Sequence, residues 1–159
     1  MSERIRRLQA HPLFCSHLQT LQELEWERVF CRHDLPHFLD VARLMYIYAL
    51  QGQSELGQDL IYAAALLHDL GRVEQLQDGT PHHMASAQLA AVILPDCGFT
   101  PEETHAVQSA IAQHRKTRQS DLLAAYLYRA DKASRNCFAC AARQACNWPP
   151  EKMNLWIDI

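Results

Sequence analysis

The chain has 159 residues, 48% of them hydrophobic and 21% charged, and a net charge of −3 at neutral pH. That length and balance fit one soluble globular domain over 1–159, with enough apolar side chains for a proper core. The slight negative charge argues against broad nucleic-acid binding, and no apolar run is long enough to span a membrane.

The start, MSERIRRLQ, carries arginines with no apolar stretch behind them, so it does not read as a secretory leader. The expected compartment is the cytoplasm. Residues 2–10 read as a short polar helix. Pro12 interrupts it and opens the next at its first turn. Leu13, Phe14, Leu18, Leu21 and Leu24 then recur at roughly helical spacing, with Glu23, Glu25 and Glu27 largely off that stripe. Asp34 caps a helix over about 36–51, with Pro36 and His37 in its first turn and Phe38, Val41, Ala42, Met45 and Ile47 along it.

Ser54 is expected to cap the central helix. Its apolar run, Ile61 to Arg72 (IYAAALLHDLGR), carries no charge before Asp69, which marks the helix as buried. Gly71 is expected to close it in a left-handed cap, leaving His68 and Asp69 on the last turn. Residues 72–80 read as a polar loop. Thr80 is expected to cap the next helix, with Pro81, His82 and His83 at its start and its end at Leu94, before Pro95. Thr100-Pro101-Glu102-Glu103 is a capping box for a helix running to about His114. A basic loop follows, and Ser120-Asp121 opens a last helix, LLAAYLYRADK, ending near Asp131. Glycine is scarce and no strand-like alternation is sustained. The expected fold is all-α, a single-domain helical bundle of about seven helices.

A buried helix that ends in His68-Asp69 needs a reason, because an ionised carboxylate is costly to desolvate unless it is paired or bound to metal. The negative end of the helix dipole suits a cation there. His33-Asp34 is a second copy of the dipeptide, but it opens a helix, where Asp34 is more simply a cap. Asp131 ends a second apolar helix as Asp69 ends the first. Four elements are therefore candidates for one site: His37, His68-Asp69, His82 or His83 with His114, and Asp131. Imidazole and carboxylate donors together suit manganese, iron, cobalt, nickel, zinc or magnesium.

In order, the motifs are His37 in HFLDVA, His68-Asp69 in ALLHDLG, His82 in HHMAS, His114 in AIAQHR and Asp131 in ADK. Together they resemble the HD-domain superfamily of metal-dependent phosphohydrolases over about residues 30–135, with a cysteine-containing tail at 136–159. The resemblance implies a helical fold, one or two divalent metal ions per chain, and hydrolysis of phosphate esters. It implies His37, His68, Asp69 and Asp131 as ligands of one metal. Asp69, His82 and His114 are then the catalytic groups, or ligands of a second metal with Asp69 bridging. The V-A spacing favours His37 over His33 as the first ligand. The family's frequent H-D-x-G-K carries Arg72 in place of the lysine, keeping the charge as a planar fork. The H-D-G-Y-P pattern is absent, which argues against the cyclic dinucleotide phosphodiesterases. Arg72, Arg115 and Lys132 adjoin the motifs and are candidate phosphate partners. The expected activity is cleavage of a small phosphate ester, a nucleotide or related phosphomonoester, by metal-activated water. The alternative is a non-catalytic metal- or nucleotide-binding regulatory module.

Six cysteines with no leader read as thiols or metal ligands rather than disulfides. Cys137, Cys140 and Cys146 form C-x-x-C-x5-C, a candidate site for structural zinc or an iron–sulfur cluster; the plainer reading is three small packing residues. Trp148 and Trp156 make the tail a candidate docking segment for a partner.

Overall fold

The computed structural model describes residues 2–113 and 121–157; among them the chain forms eight α-helices and three 3₁₀ turns, with no strand. The helices are α1 (Glu3–Ala10), α2 (Pro12–Leu24), α3 (Leu35–Gln51), α4 (Gln58–Leu67), α5 (Arg72–Gln77), α6 (His82–Asp96), α7 (Pro101–Gln113) and α8 (Leu122–Ala133). None of them is long and apolar enough to cross a membrane. α4 lies in the middle: Ile61 and Ala63 through Leu67 are buried, and α1, α3, α6, α7 and α8 pack around it. This is the all-round burial expected of a helix with no charged face. α3 contributes Phe38, Val41, Ala42 and Met45, and α8 contributes Leu123, Ala124, Leu127 and Ala130. Each large side chain among these is worth about 1.5–3 kcal/mol of burial.

Several helix starts follow the local chemistry of the sequence. Asp34 accepts the His37 N–H at 3.1 Å and Asp121 accepts the Ala124 N–H at 2.8 Å. Thr100 and Glu103 cap each other reciprocally, at 2.9 and 3.2 Å. Other boundaries differ from expectation. α4 begins at Gln58 behind Gly57, so Ser54 is not its cap. α6 begins behind Pro81 without a side-chain cap, so Thr80 is not one either. It also continues through Pro95 to Asp96: the Cys97 N–H still reaches the carbonyls of Ile93 and Leu94, at 3.3 and 3.0 Å. Gly98 then takes the left-handed conformation, φ +85°, that ends it. The stretch 72–80 is not wholly loop, because α5 forms there and packs on α2 and α6 through the buried Val73.

Gly71 is a more consequential difference. Its φ is −70°, so it is not a left-handed cap. A Cβ there would lie 2.6 Å from the His82 carbonyl oxygen and 2.7 Å from Ala85 Cβ, and would also strike the Ser86 nitrogen. Glycine is needed because the turn after α4 presses directly on the first turn of α6. The Gly71 N–H donates to Ser86 Oγ at 2.8 Å across that contact. Gly71→Ala is therefore expected to destabilise the protein by about 1–3 kcal/mol, the usual cost of overpacking, read as a lower midpoint in urea unfolding with an unchanged slope.

Candidate metal centre

The site is built where core-facing stripes reach helix ends. On α3, His37 heads the face that continues through Val41 and Met45. On α8, Leu123, Leu127 and Asp131 are spaced four residues apart, which carries the buried stripe into a carboxylate at its end. His68 follows directly on the buried end of α4, and Asp69 lies in the turn to α5. His82 opens α6 on the same face as Ser86, Ala90 and Ile93. His37, His68, Asp69 and Asp131 converge, each offering one donor atom within 4.8 Å of all the others.

The histidine rings are oriented by what holds their outer nitrogens. His68 Nδ1 donates to the Ala65 carbonyl at 2.7 Å, since a carbonyl only accepts. Ser134 Oγ spends its hydrogen on the Asp131 carbonyl (3.0 Å), so it accepts from His37 Nδ1 at 3.2 Å. His82 Nδ1 donates to Gln75 Oε1 at 2.8 Å, and His33 Nδ1 to Glu25 Oε1 at 2.7 Å. With every Nδ1 hydrogen directed outward, the four Nε2 atoms face the carboxylates. His37 Nε2 is 3.8 Å from Asp69 and 3.7 Å from Asp131, and His68 Nε2 is 3.4 and 3.9 Å from the same two residues. His33 and His82 approach Asp69 at 3.7 and 3.2 Å. Imidazoles fixed in this way through their far nitrogen are the usual outer support of a metal site.

The donor set fits a divalent ion. Ligands about 2.1 Å from a shared ion stand roughly 3–4 Å from their neighbours in its coordination shell, and the four His–Asp spacings, 3.4 to 3.9 Å, fall in that range. His37 Nε2 is buried with no hydrogen-bond partner among the described residues. Mixed imidazole and carboxylate donors match a borderline first-row ion.

The electrostatics agree. Burial opposes the charged form of His68, but Asp69 and Asp131 outweigh it and hold its pKa up at about 9. Burial likewise works to raise the two aspartates; the His68 imidazole, with His37 and Arg72 at Asp69 and Lys132 at Asp131, keeps both well below the ordinary carboxylate range. Burial lowers the pKa of His33, partly offset by its bond to Glu25. Glu25, despite burial, is lowered by His33, whose backbone N–H it also accepts at 2.7 Å.

Of the residues singled out in sequence, His37, His68, Asp69, Asp131 and His82 come together here. Arg72 sits 3.2 Å from Asp69, and Lys132 pairs with Asp131. His114 and Arg115 lie outside the described residues. His83 is on the same turn as His82, but the Nε2 beside Asp69 belongs to His82. Cys137 is buried, Cys140 and Cys146 are half-buried, and all three are free thiols that take no part in the His/Asp group. His33, which the V-A spacing disfavours, and Glu25, which no motif marks, are both buried at the site. The repeated His-Asp dipeptide was the signal for His33. Glu25 had none, because it meets His33 across an irregular segment. Arg135, 3.2 Å from Asp131, is a further cation of the site that none of the motifs marks. A cavity of about 660 Å³ opens on this cluster, lined by His33, His82, Asp131, five cationic side chains and the aromatic rings of Tyr128 and Trp148.

Residues 35–136 match the HD domain family. An uncharacterized protein of Clostridium beijerinckii is 38% identical over 141 residues, 89% of this chain and 89% of its own length. The crystal structure of a predicted HD superfamily hydrolase from an uncultured Thermotogales bacterium is similar at a TM-score of 0.60 and 29% identity, covering 77% of this chain and 68% of that one.

At neutral pH the metal-free site holds a proton on His68, and an ion can use Nε2 only after that proton leaves. Below about pH 9, affinity for Mn²⁺ is expected to rise about tenfold per pH unit. Calorimetry at pH 7.5 in buffers of different ionisation enthalpy is expected to register about one proton released per ion bound.

Proposed function

The chain belongs to the HD domain family, and on that premise we propose that it is a metal-dependent phosphohydrolase acting on a small phosphate ester, with nucleotides as the substrate class. The observation that carries this reading is the turning of four imidazole Nε2 atoms toward two buried carboxylates, one of which, Asp131, lines a cationic cavity. Histidines packed for stability alone would have no reason to share one orientation toward the same anions.

His37, His68, Asp69 and Asp131 would hold the ion. Bound there, a divalent metal lowers the pKa of water toward neutrality and draws charge from a phosphoryl oxygen. The protein's own groups supply the rest. Arg72 presents a planar fork to phosphoryl oxygens from beside Asp69. Lys132 and Arg135, paired with Asp131, offset the charge that builds on the phosphoryl group. His82, its Nδ1–H held by Gln75, takes the proton from the attacking water or returns one to the leaving oxygen through Nε2. The cavity suits a ligand the size of a nucleotide rather than free phosphate.

Protein purified without chelator or nickel resin is expected to carry divalent metal by elemental analysis, and a His68→Ala/Asp69→Ala variant is expected to lose it. Phosphate release from a panel of nucleotides in manganese, iron or cobalt should fall more than about 100-fold in Asp69→Ala. Full metal-dependent release by cleanly purified Asp69→Ala would sink the reading. Metal and nucleotide binding without turnover in the wild type would instead mark a regulatory module.

A further inference from the structure

Part of the cavity lining comes from outside the family match. Asn147, Trp148 and Lys152 all lie in the tail beyond residue 136. The tail is tied down there by specific bonds. The Asn154 side-chain amide donates to the carbonyls of Lys132, Ala133 and Arg135, at 2.7, 3.2 and 2.9 Å. These carbonyls lie at the end of α8, beside Asp131. The Phe138 N–H returns to the Asn154 carbonyl at 3.0 Å, so the intervening segment is closed into a loop beside the cavity. Trp148 packs its ring on the Arg135 guanidinium, 5.0 Å from the ring centre, and Tyr128 does the same for Lys132 at 5.3 Å. Two cavity cations are thus held by aromatic rings as well as by Asp131.

The charge around the cavity exceeds what one phosphate group needs. Arg28 is engaged with Glu25, which also binds His33. Among the described residues, Arg72, Lys132 and Arg135 pair with Asp69 and Asp131, the carboxylates a divalent ion would share. Lys152 adds a further cation from the tail. With the ion in place, four cationic side chains face the bound substrate, while one phosphomonoester carries a charge of roughly −1.5 to −2. A second phosphate group would answer that charge.

Resting on the hydrolase reading of this site, we propose that the tail completes a second-phosphate subsite, in which Lys152 and Arg135 bind a phosphate group beyond the one being cleaved. The substrate class is then a nucleotide bearing two phosphates rather than a simple monophosphate. Asn154 is a positioning residue that holds the tail against α8, and Trp148 holds Arg135 in place.

The test is calorimetric titration of the full manganese-loaded chain, in excess manganese, with inorganic phosphate and with methylenediphosphonate, a two-phosphate mimic that cannot be hydrolysed. The affinity ratio between the two probes is the readout. Lys152→Ala is expected to lower that ratio about tenfold, the scale of one charge-assisted contact, and Asn154→Ala to lower it by loosening the loop. Arg143→Ala, a tail cation away from the cavity, is expected to keep it. Metal chelation by the diphosphonate would be the same in all three variants. An unchanged ratio in Lys152→Ala, or an equal fall in Arg143→Ala, would overturn the subsite. The phosphate-release screen separates the two readings. If no ester is cleaved but the ratio still depends on Lys152, the hydrolase reading fails and the subsite stands. If monophosphates are cleaved and Lys152→Ala leaves the ratio alone, only the subsite fails.

Discussion

Two carboxylates, Asp69 and Asp131, are buried against the same pair of imidazoles, and the surrounding architecture is an answer to their charge. Taking an anion out of water costs several kcal/mol even after the protein relaxes around it, so two anions within one donor group are tolerable only with cations on all sides. The chain provides them in two layers: His68 and Arg72 against Asp69, and Lys132 and Arg135 against Asp131. Without metal, a proton on His68 partly stands in for the ion, which is why its pKa is pushed up to about 9. The same balance suits a divalent cation, because an ion would replace one proton with two charges.

Holding that arrangement falls to residues that touch no ligand. Ala65, Ser134, Gln75 and Glu25 each take the outer nitrogen of one histidine. They come from four different places in the chain: the body of α4, the end of α8, α5, and the stretch just after α2. The site is therefore only as rigid as the packing between those elements. The contact at Gly71 matters here, since it seats the turn carrying Asp69 directly on the first turn of α6, where His82 begins. A side chain at that point would push apart two residues that meet at 3.2 Å.

The cavity follows from the same geometry. Helix ends gathered at one side of the bundle leave a concave floor of mixed charge, and the segment after α8 returns over it, tied by Asn154 to the helix that carries Asp131. The His/Asp cluster belongs to the part of the chain shared with the HD domain family, whereas Asn147, Trp148 and Lys152 of the cavity lining do not.

Helical class, three of the helix starts and the candidacy of His37, His68, Asp69 and Asp131 for one shared group were legible in the sequence, and each for a local reason. Asp34, Thr100 with Glu103, and Asp121 bond to backbone within three residues of themselves, so spacing alone defines them. An uncharged run that ends in His-Asp announces a buried anion before any neighbour is known. What stayed hidden depends on distance through space. Gly71 read as a left-handed cap because sequence shows a helix end but not the helix pressing on it. His33 and Glu25 meet across eight residues of irregular chain, Gln75 lies in a segment that reads as loop, and Trp148 and Lys152 reach the cavity only because the tail folds back. Local hydrogen bonding and periodicity are written into neighbouring residues; which helix ends converge, which ring faces which carboxylate, and which segment closes the cavity were decided only by tertiary packing, because those contacts join residues with no fixed spacing along the chain.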